Sequence, residues 1–445
     1  MIESEYLIIG SGPIGVLTAQ YLLEKNRKVV IIDNSFKKNK SVDKNLNLKN
    51  LDNKSFVYDF DNTAYKNNKK ILPISSKSTG GFSKVWGGTL NPVSKSEIKK
   101  MGLTNERYFR IYNWILKYVP NMEFTSVYHS FKQNTRNSLD IYPPVLSVDK
   151  DNENFWNAEI LLNELLIKYK NSVRYIPDIE VHSIDKDGEI FKILSGNQSF
   201  DFSVKKVYVC SGVFSSSQIA SRMQKTNKFS ISDSDLAIWP IFYFGKNFLS
   251  ETNSFDNLNG MLGKAYAMLI INLEQKNTSI KCQLYELSDE SIKEIEKRLP
   301  ILYKPIKIFI NLLKKRLFLL FVYKDSDHSK KGIFKIDKEK VYLDKIVEPK
   351  FKLSIFKYFT KFLKSKFLLI PFKYQFKTFG SFHSGITNLY KNNENIYFDS
   401  KGQLPEFSNI HFLDSTILNF IPSGPFTMSS IVNCIATLEL IEDEK

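Results

Sequence analysis

The stretch Gly380-Ser-Phe-His-Ser-Gly385 sets His383 among small residues, and an imidazole there could take a proton from a substrate near neutral pH. It is one of five histidines. His129 and His328 stand in polar, loop-like stretches and His182 and His411 within or beside strand-like ones, so His383 is the candidate base, with a plain loop histidine as the competing reading. A second chemistry is written at the amino end. Gly10-Ser-Gly-Pro-Ile-Gly15 has the GxGxxG spacing, with Pro13 and Ile14 between its last two glycines, and Asp33 follows eighteen residues after Gly15. In such a pattern Gly10 permits a tight turn, Gly12 lets the backbone approach a diphosphate, and Gly15 lets helix and strand pack closely. Asp33 would accept hydrogen bonds from an adenosine ribose and repel a 2′-phosphate, which disfavours NADP and leaves NAD and FAD unseparated.

These residues act only if the right elements hold them. Glu5–Ile9 reads as a strand, residues 10–15 as a glycine turn, Val16–Lys25 as a helix and Lys28–Asp33 as a second strand, together a βαβ unit. Residues 34–68, rich in Asn, Asp and Lys, read as loop. Strand-like runs at Val173–Ile184 and Ile190–Leu194 flank a Lys-Asp-Gly turn, and Lys206–Gly212 is a buried strand whose small-residue end opens a helix over Ser215–Met223. Near the carboxyl end, Pro425 suits the first position of a helix over Phe426–Leu440, with Gly424 as its cap. Residues 230–379 alternate strand-like and helix-like pieces, lack a nucleotide-type glycine turn, and read as a separate layer.

A chain of 445 residues, 42% apolar and 25% charged, is expected to be globular with two domains or three. Cys210, Cys282 and Cys434 form no CxxC and are expected buried and reduced. With no uncharged apolar run of roughly eighteen residues and a strand beginning near Tyr6, a cytoplasmic location is expected. The formal charge of +16 is local, since residues 291–380 hold 23 Lys/Arg against 8 Asp/Glu. There, Leu302–Phe321 and Phe351–Phe367 alternate bulky apolar residues with lysine at about helical spacing. They read either as interfacial helices giving peripheral membrane contact or as core-packed helices with solvated lysine faces. No nucleic-acid motif accompanies the charge, so no nucleic-acid partner is expected. GxxxxGK[ST], HExxH and GxSxG are all absent, and no metal is expected.

Three later stretches, Ser78–Thr89, Val207–Ile219 and Asn409–Thr427, follow the amino-terminal unit in an order that resembles the conserved blocks of the glucose–methanol–choline oxidoreductases, FAD enzymes that oxidise alcohols. The resemblance implies an α/β fold: a doubly wound Rossmann-type FAD domain with an inserted α+β substrate domain. It implies that Gly80, Gly81, Gly87 and Gly88, around Trp86, lay bare backbone against the flavin ring. Val181 takes the place whose main chain meets adenine, Ser211 and Gly212 the turn that passes the cofactor, and Asp414 a place beside the ribityl and phosphate portion. The helix opening at Pro425 and Phe426 would aim its positive end at the N1–C2 carbonyl edge of the flavin. One branch bonds FAD covalently through a histidine where this chain has Val85, so noncovalent FAD is expected. His383 takes the place of the family's base. A second Asn or His is usual where this chain has Gly424, and Ser384, Ser423 and Asn433 are candidates for the missing contact.

The expected partition is an FAD-binding domain from residues 1–95, 171–229 and 376–445, and a substrate domain from 96–170 and 230–375. The implied activity is oxidation of an alcohol, sugar or polyol to a carbonyl, with oxygen, a quinone or a protein as electron acceptor. Two other readings compete. The basic stretches suit a flavoprotein reductase or desaturase acting on lipid at a membrane surface, and Gly424 suits an FAD-binding protein whose active site has decayed.

Overall fold

Runs such as Tyr-Leu-Ile-Ile at residues 6–9 and Val-Val-Ile-Ile at 29–32 have no polar alternation, which suits strands covered on both faces. The structure, a computed structural model, describes residues 1–35, 76–84, 86–123, 125, 128–129, 132, 139–149, 154–245, 269–275, 278–287, 316–337, 340–349, 355–370, 374–375, 384–391 and 394–443. Strands β1 (Tyr6–Ile9), β2 (Val29–Ile32), β3 (Val173–Ile176), β4 (Lys206–Val209) and β5 (Ile410–Phe412) form a parallel sheet in the order β5-β4-β1-β2-β3. Helices α1 (Pro13–Glu24), α2 (Ala158–Lys168), α3 (Val213–Met223) and α4 (Thr427–Glu442) accompany it.

Each face of the sheet has its own core. Tyr6, Ile8, Val29, Ile31 and Tyr208 pack with residues of α1, α2 and α4, such as Leu17, Leu161 and Ile435. Leu7, Ile9, Val30, Ile32, Val207 and Val209 pack with α3 and with residues of the antiparallel sheets, such as Phe191, Phe229 and Phe334. Burying a side chain of this size contributes about 1.5–3 kcal/mol.

Among the described residues, three larger sheets and two two-stranded ones, Met122–Glu123 with Val145–Leu146 and Val148–Asp149 with Asn154–Phe155, complete the α/β architecture. One of four strands joins Ile2–Glu3, Gln198–Ser203, Ile190–Ser195 and Ser183–Asp187, and one of five joins Lys340–Val347, Lys331–Asp337, Lys228–Asp233, Ser384–Lys391 and Glu394–Ile396. The largest runs Phe367–Leu369, Leu236–Tyr243, Leu317–Tyr323, Thr278–Glu286, Leu269–Gln275 and Asp140–Tyr142, with Tyr374–Gln375 also pairing to the second of these.

The structure departs from the sequence reading in several places, and among them α3 begins at Val213 rather than Ser215 and the strand before it ends at Val209 rather than Gly212. Helix α1 begins at Pro13 rather than Val16, because proline with its fixed φ is suited to the first helical position. Helix α4 begins at Thr427 with Phe426 as its cap, so Pro425 lies outside it; Gly424, at φ +102, still belongs to the turn. The helical spacing seen in the first basic stretch fails at its end. Leu317–Tyr323 is an unbroken apolar run and forms an inner strand of the large sheet. Residues 302–315 and 351–354 lie outside the described residues. Among the described residues of the second stretch, Phe359–Lys364 alone is an α-helix, and its Phe362 is buried in the core of that sheet. No helix among the described residues is long and apolar enough to cross a membrane. The residues read as loop from 36 to 68 also lie outside them.

Candidate cofactor-binding site

The sheet order reverses between β1 and β4, the neighbours at its centre. The helices that follow them, α1 and α3, pack in different cores, on opposite faces of the sheet. Two turns therefore diverge at the carboxyl ends of adjacent strands and leave a crevice, the usual ligand position in open α/β sheets. Gly10–Ile14 form one wall and Cys210–Val213 the other.

The three glycines of the first turn have three separate jobs. Gly10 adopts φ +107, and a Cβ on it would stand 2.5 Å from the carbonyl oxygen of Cys210. A Cβ on Gly15 would stand 2.0 Å from the carbonyl oxygen of Gly10, so helix and strand pack too closely for any side chain. Gly12 differs. A Cβ there would meet nothing within 4 Å, and the same holds for Gly212 across the crevice.

Helix termini supply the electrostatics. The helices Lys95–Lys100, Asn105–Ile115 and α2 are capped by the side chains of Ser94, Thr104 and Asn157. Helices α1 and α4 have no side-chain cap, and both begin at the crevice, at Gly12–Pro13 and at Phe426–Thr427. The positive ends of two helix dipoles therefore face the same space, which suits an anionic ligand. The start of α3 is occupied already. Asp414 accepts hydrogen bonds there from the Gly212 N–H at 2.8 Å and from the Ser216 hydroxyl, and from the N–H and hydroxyl of Thr416 at 3.0 and 2.7 Å. Burial nevertheless raises its pKa above the ordinary carboxylate value.

Asp33 closes the other end of the crevice. Its carboxylate accepts from the N–H groups of Ser11 at 2.5 Å and Ser35 at 2.8 Å, yet burial outweighs these bonds and pushes its pKa upward. Around it, the Ser11 hydroxyl accepts from the Gly80 N–H at 3.1 Å, and the Tyr175 hydroxyl bonds with those of Ser35 and Thr79. The glycine turn, β2, β3 and the 76–84 segment are thus tied together beside one carboxylate.

Among the expected residues, the crevice is lined by Gly10, Gly12, Pro13, Ile14, Asp33 and Gly81, and by Trp86, Val181, Ser211, Gly212, Asp414 and Phe426. Gly15, Gly80, Gly87, Gly88 and Pro425 do not line it. A Cβ on Gly80 would stand 2.9 Å from the Glu159 N–H nitrogen, and one on Gly88 would stand 2.5 Å from the Phe155 ring, so these two glycines make room for protein. His383 and Val85 lie outside the described residues. The remaining histidines stand apart from the crevice: His328 bonds Asp325 at 2.6 Å, and His411 is buried in β5 with its Nδ1 on the Lys401 carbonyl.

Several lining residues escaped the sequence reading. Ser11 occupies a variable position of GxGxxG, and Ser83, Thr427 and Ser430 carry no spacing signal of their own. Ser83 accepts the Ala158 N–H, and Lys84, buried beside it, pairs with Glu159 in the first turn of α2. Trp86 donates its indole N–H to the Trp156 carbonyl at 2.8 Å. Only proximity in the fold reveals such links.

Compared with known proteins, the chain matches no family description and no curated protein. Its fold is shared: 708 solved chains are significantly similar. One is pyridoxine 4-oxidase from Mesorbium loti, with a TM-score of 0.62 at 9% identity, covering 99% of this chain and 100% of that one. The likeness extends over both full lengths, so the parallel sheet and the large antiparallel sheet belong to one shared architecture.

Proposed function

We propose that this chain binds FAD noncovalently and oxidises a CH–OH group of a small alcohol, of the sugar or polyol class, to a carbonyl. The observation that carries the reading is the crevice at the sheet reversal, where two helices without side-chain caps open onto bare glycine backbone and a carboxylate closes the far end. A diphosphate fits against the amides at the start of α1, and the hydroxyls of an adenosine ribose fit Asp33, with Val181 at the adenine end. FAD is favoured over NAD by the second helix end. The start of α4 suits a ring system that gains negative charge on reduction, and Trp86 and Phe426 offer it apolar walls. The full-length likeness to an oxidase named for pyridoxine, itself an alcohol, supports the same reaction class.

Bound FAD would supply the hydride acceptor. In this reading His383 takes the hydroxyl proton as the neighbouring C–H bond loses its hydride, and Gly12 and Gly212 leave the backbone clear for the cofactor. The expected protein is yellow and releases free FAD on denaturation. His383→Ala should stay yellow and lose alcohol-dependent bleaching under anaerobic conditions by about 10²–10⁴-fold in rate. Colourless protein that takes up no FAD overturns the reading.

A further inference from the structure

In residues 236–245, 278–287, 316–323 and 355–370, Glu286 is the one acidic residue against Lys281, Arg316, Lys357, Lys361, Lys364 and Lys366. These segments build one end of the large antiparallel sheet. Its strands Leu236–Tyr243 and Thr278–Glu286 finish there, and Leu317–Tyr323 and Phe367–Leu369 begin there, with Phe242 paired to both Leu317 and Leu368. Lys281 is buried against Gly424 toward the other end. Arg316, Lys357, Lys361 and Lys364 are exposed and Lys366 is half-buried, and the charge of Arg316 is felt at the Tyr243 hydroxyl.

Large apolar side chains are interleaved with these cations. Phe362 anchors the helix Phe359–Lys364 in the core of the sheet, which leaves Lys361 and Lys364 on its outer side, Lys361 over the Tyr358 ring. The chain then turns at Lys366, with φ +64, into the edge strand, where the Lys366 carbonyl accepts the Phe244 N–H at 3.0 Å. Tyr243 and Phe367 are paired and face the core, so their neighbours Phe244 and Leu368 are turned away from it. Phe244 is 47% exposed and Leu368 41%.

We infer that this end of the large sheet docks on a bilayer that carries anionic lipid. Phe244 and Leu368 enter the interface while the cations around them meet lipid phosphates, a pairing of apolar area with positive charge that holds proteins at membrane surfaces. A dissolved polyanion would satisfy the cations and leave both apolar side chains in water; a bilayer serves both. No long interfacial helix is needed, because a strand end, an edge strand and one short helix deliver the charge. None of these residues lines the cofactor crevice, so docking and flavin binding are separable.

The test is co-sedimentation of the full chain with sucrose-loaded vesicles, either phosphatidylcholine alone or phosphatidylcholine with about one-third phosphatidylglycerol. The chain should sediment with the anionic vesicles, stay in solution with the neutral ones, and lose binding as sodium chloride is raised. Lys361→Glu with Lys364→Glu should weaken binding by about 30-fold or more, and Lys361→Gln with Lys364→Gln repeats the comparison should the reversed pair fold poorly. Phe244→Ser with Leu368→Ser should weaken it by about tenfold and leave the salt dependence in place. Lys168→Glu with Lys170→Glu makes an equal change of charge at exposed positions on α2 and just beyond it, and should leave binding within about twofold. A wild type indifferent to anionic vesicles, or equal losses in the two lysine-to-glutamate pairs, overturns the assignment. So does a wild type that binds polyglutamate or RNA and ignores the vesicles, which would mark this end as a site for a dissolved polyanion.

Discussion

Asp33 holds its place through two backbone donors but sits where burial favours the protonated acid. A ribose diol needs the ionised form as acceptor. Because the pKa is raised, the proton returns at a higher pH than on a free aspartate, so FAD affinity should be flat near neutrality and fall on acidification through that raised value. Fluorescence titration of apoprotein at graded pH reads this, and Asp33→Asn should bind about tenfold or more weakly with a flattened acid limb. His411 makes an independent acid-side prediction. Burial lowers its pKa from the ordinary histidine range to about 4, and its Nε2 has no hydrogen-bond partner among the described residues, so it stays neutral in the fold while the unfolded chain protonates. Its contribution is complete above 6.5 and is lost as pH falls toward 4, a decline of about 3 kcal/mol. His411→Gln should remove that part of the pH dependence of urea midpoints. Asp33 was legible because its distance from the glycine turn is set along one βαβ unit. Its neighbour Tyr175 was not, because β3 reaches it only by pairing with β2.

Elements decide which glycines matter for folding and which for binding. Gly12 has open space before it and an ordinary helical-cap backbone, so Gly12→Ala should fold with unchanged urea stability yet lose FAD, since the added methyl enters the crevice. Gly15→Ala meets the Gly10 carbonyl and should lose about 1–3 kcal/mol or more, readable in the same urea titration before any flavin is added. The reverse ranking would mean that the first turn is not a ligand wall. Both roles follow from the GxGxxG spacing, but Gly80 and Gly88 show where spacing misleads. Their positive φ values are real, at +82 and +63, while the crowding that excludes a side chain comes from α2 and Phe155. The inner strand Leu317–Tyr323 misled in the same way. Lysines upstream imposed a helical rhythm on a run whose own residues have none, and pairing on both edges settled it as strand.

At the scale of the whole molecule, the crevice exists because distant parts of the chain meet. Helices α1 and α4 pack in one core, and the carboxyl-terminal Glu442 accepts from the Tyr6 and Tyr208 hydroxyls in β1 and β4. A ligand held between both ends should therefore stabilise the entire fold. Free FAD at a hundred times its Kd should add about 2.7 kcal/mol, seen as a higher melting temperature that declines when flavin is stripped and returns on reconstitution. A melting temperature indifferent to FAD would contradict the crevice as its site. The sequence alone determined the βαβ start, the glycine turn, Asp33 and the apolar strands, because each is dictated by contacts or backbone limits within some thirty residues. Only the tertiary structure decided that Lys281 fills the space at Gly424, that Asp414 occupies the start of α3, and that α1 and α4 open onto one crevice. Those are meetings across hundreds of residues, set by strand order and by the faces each sheet must bury, and no local spacing encodes them.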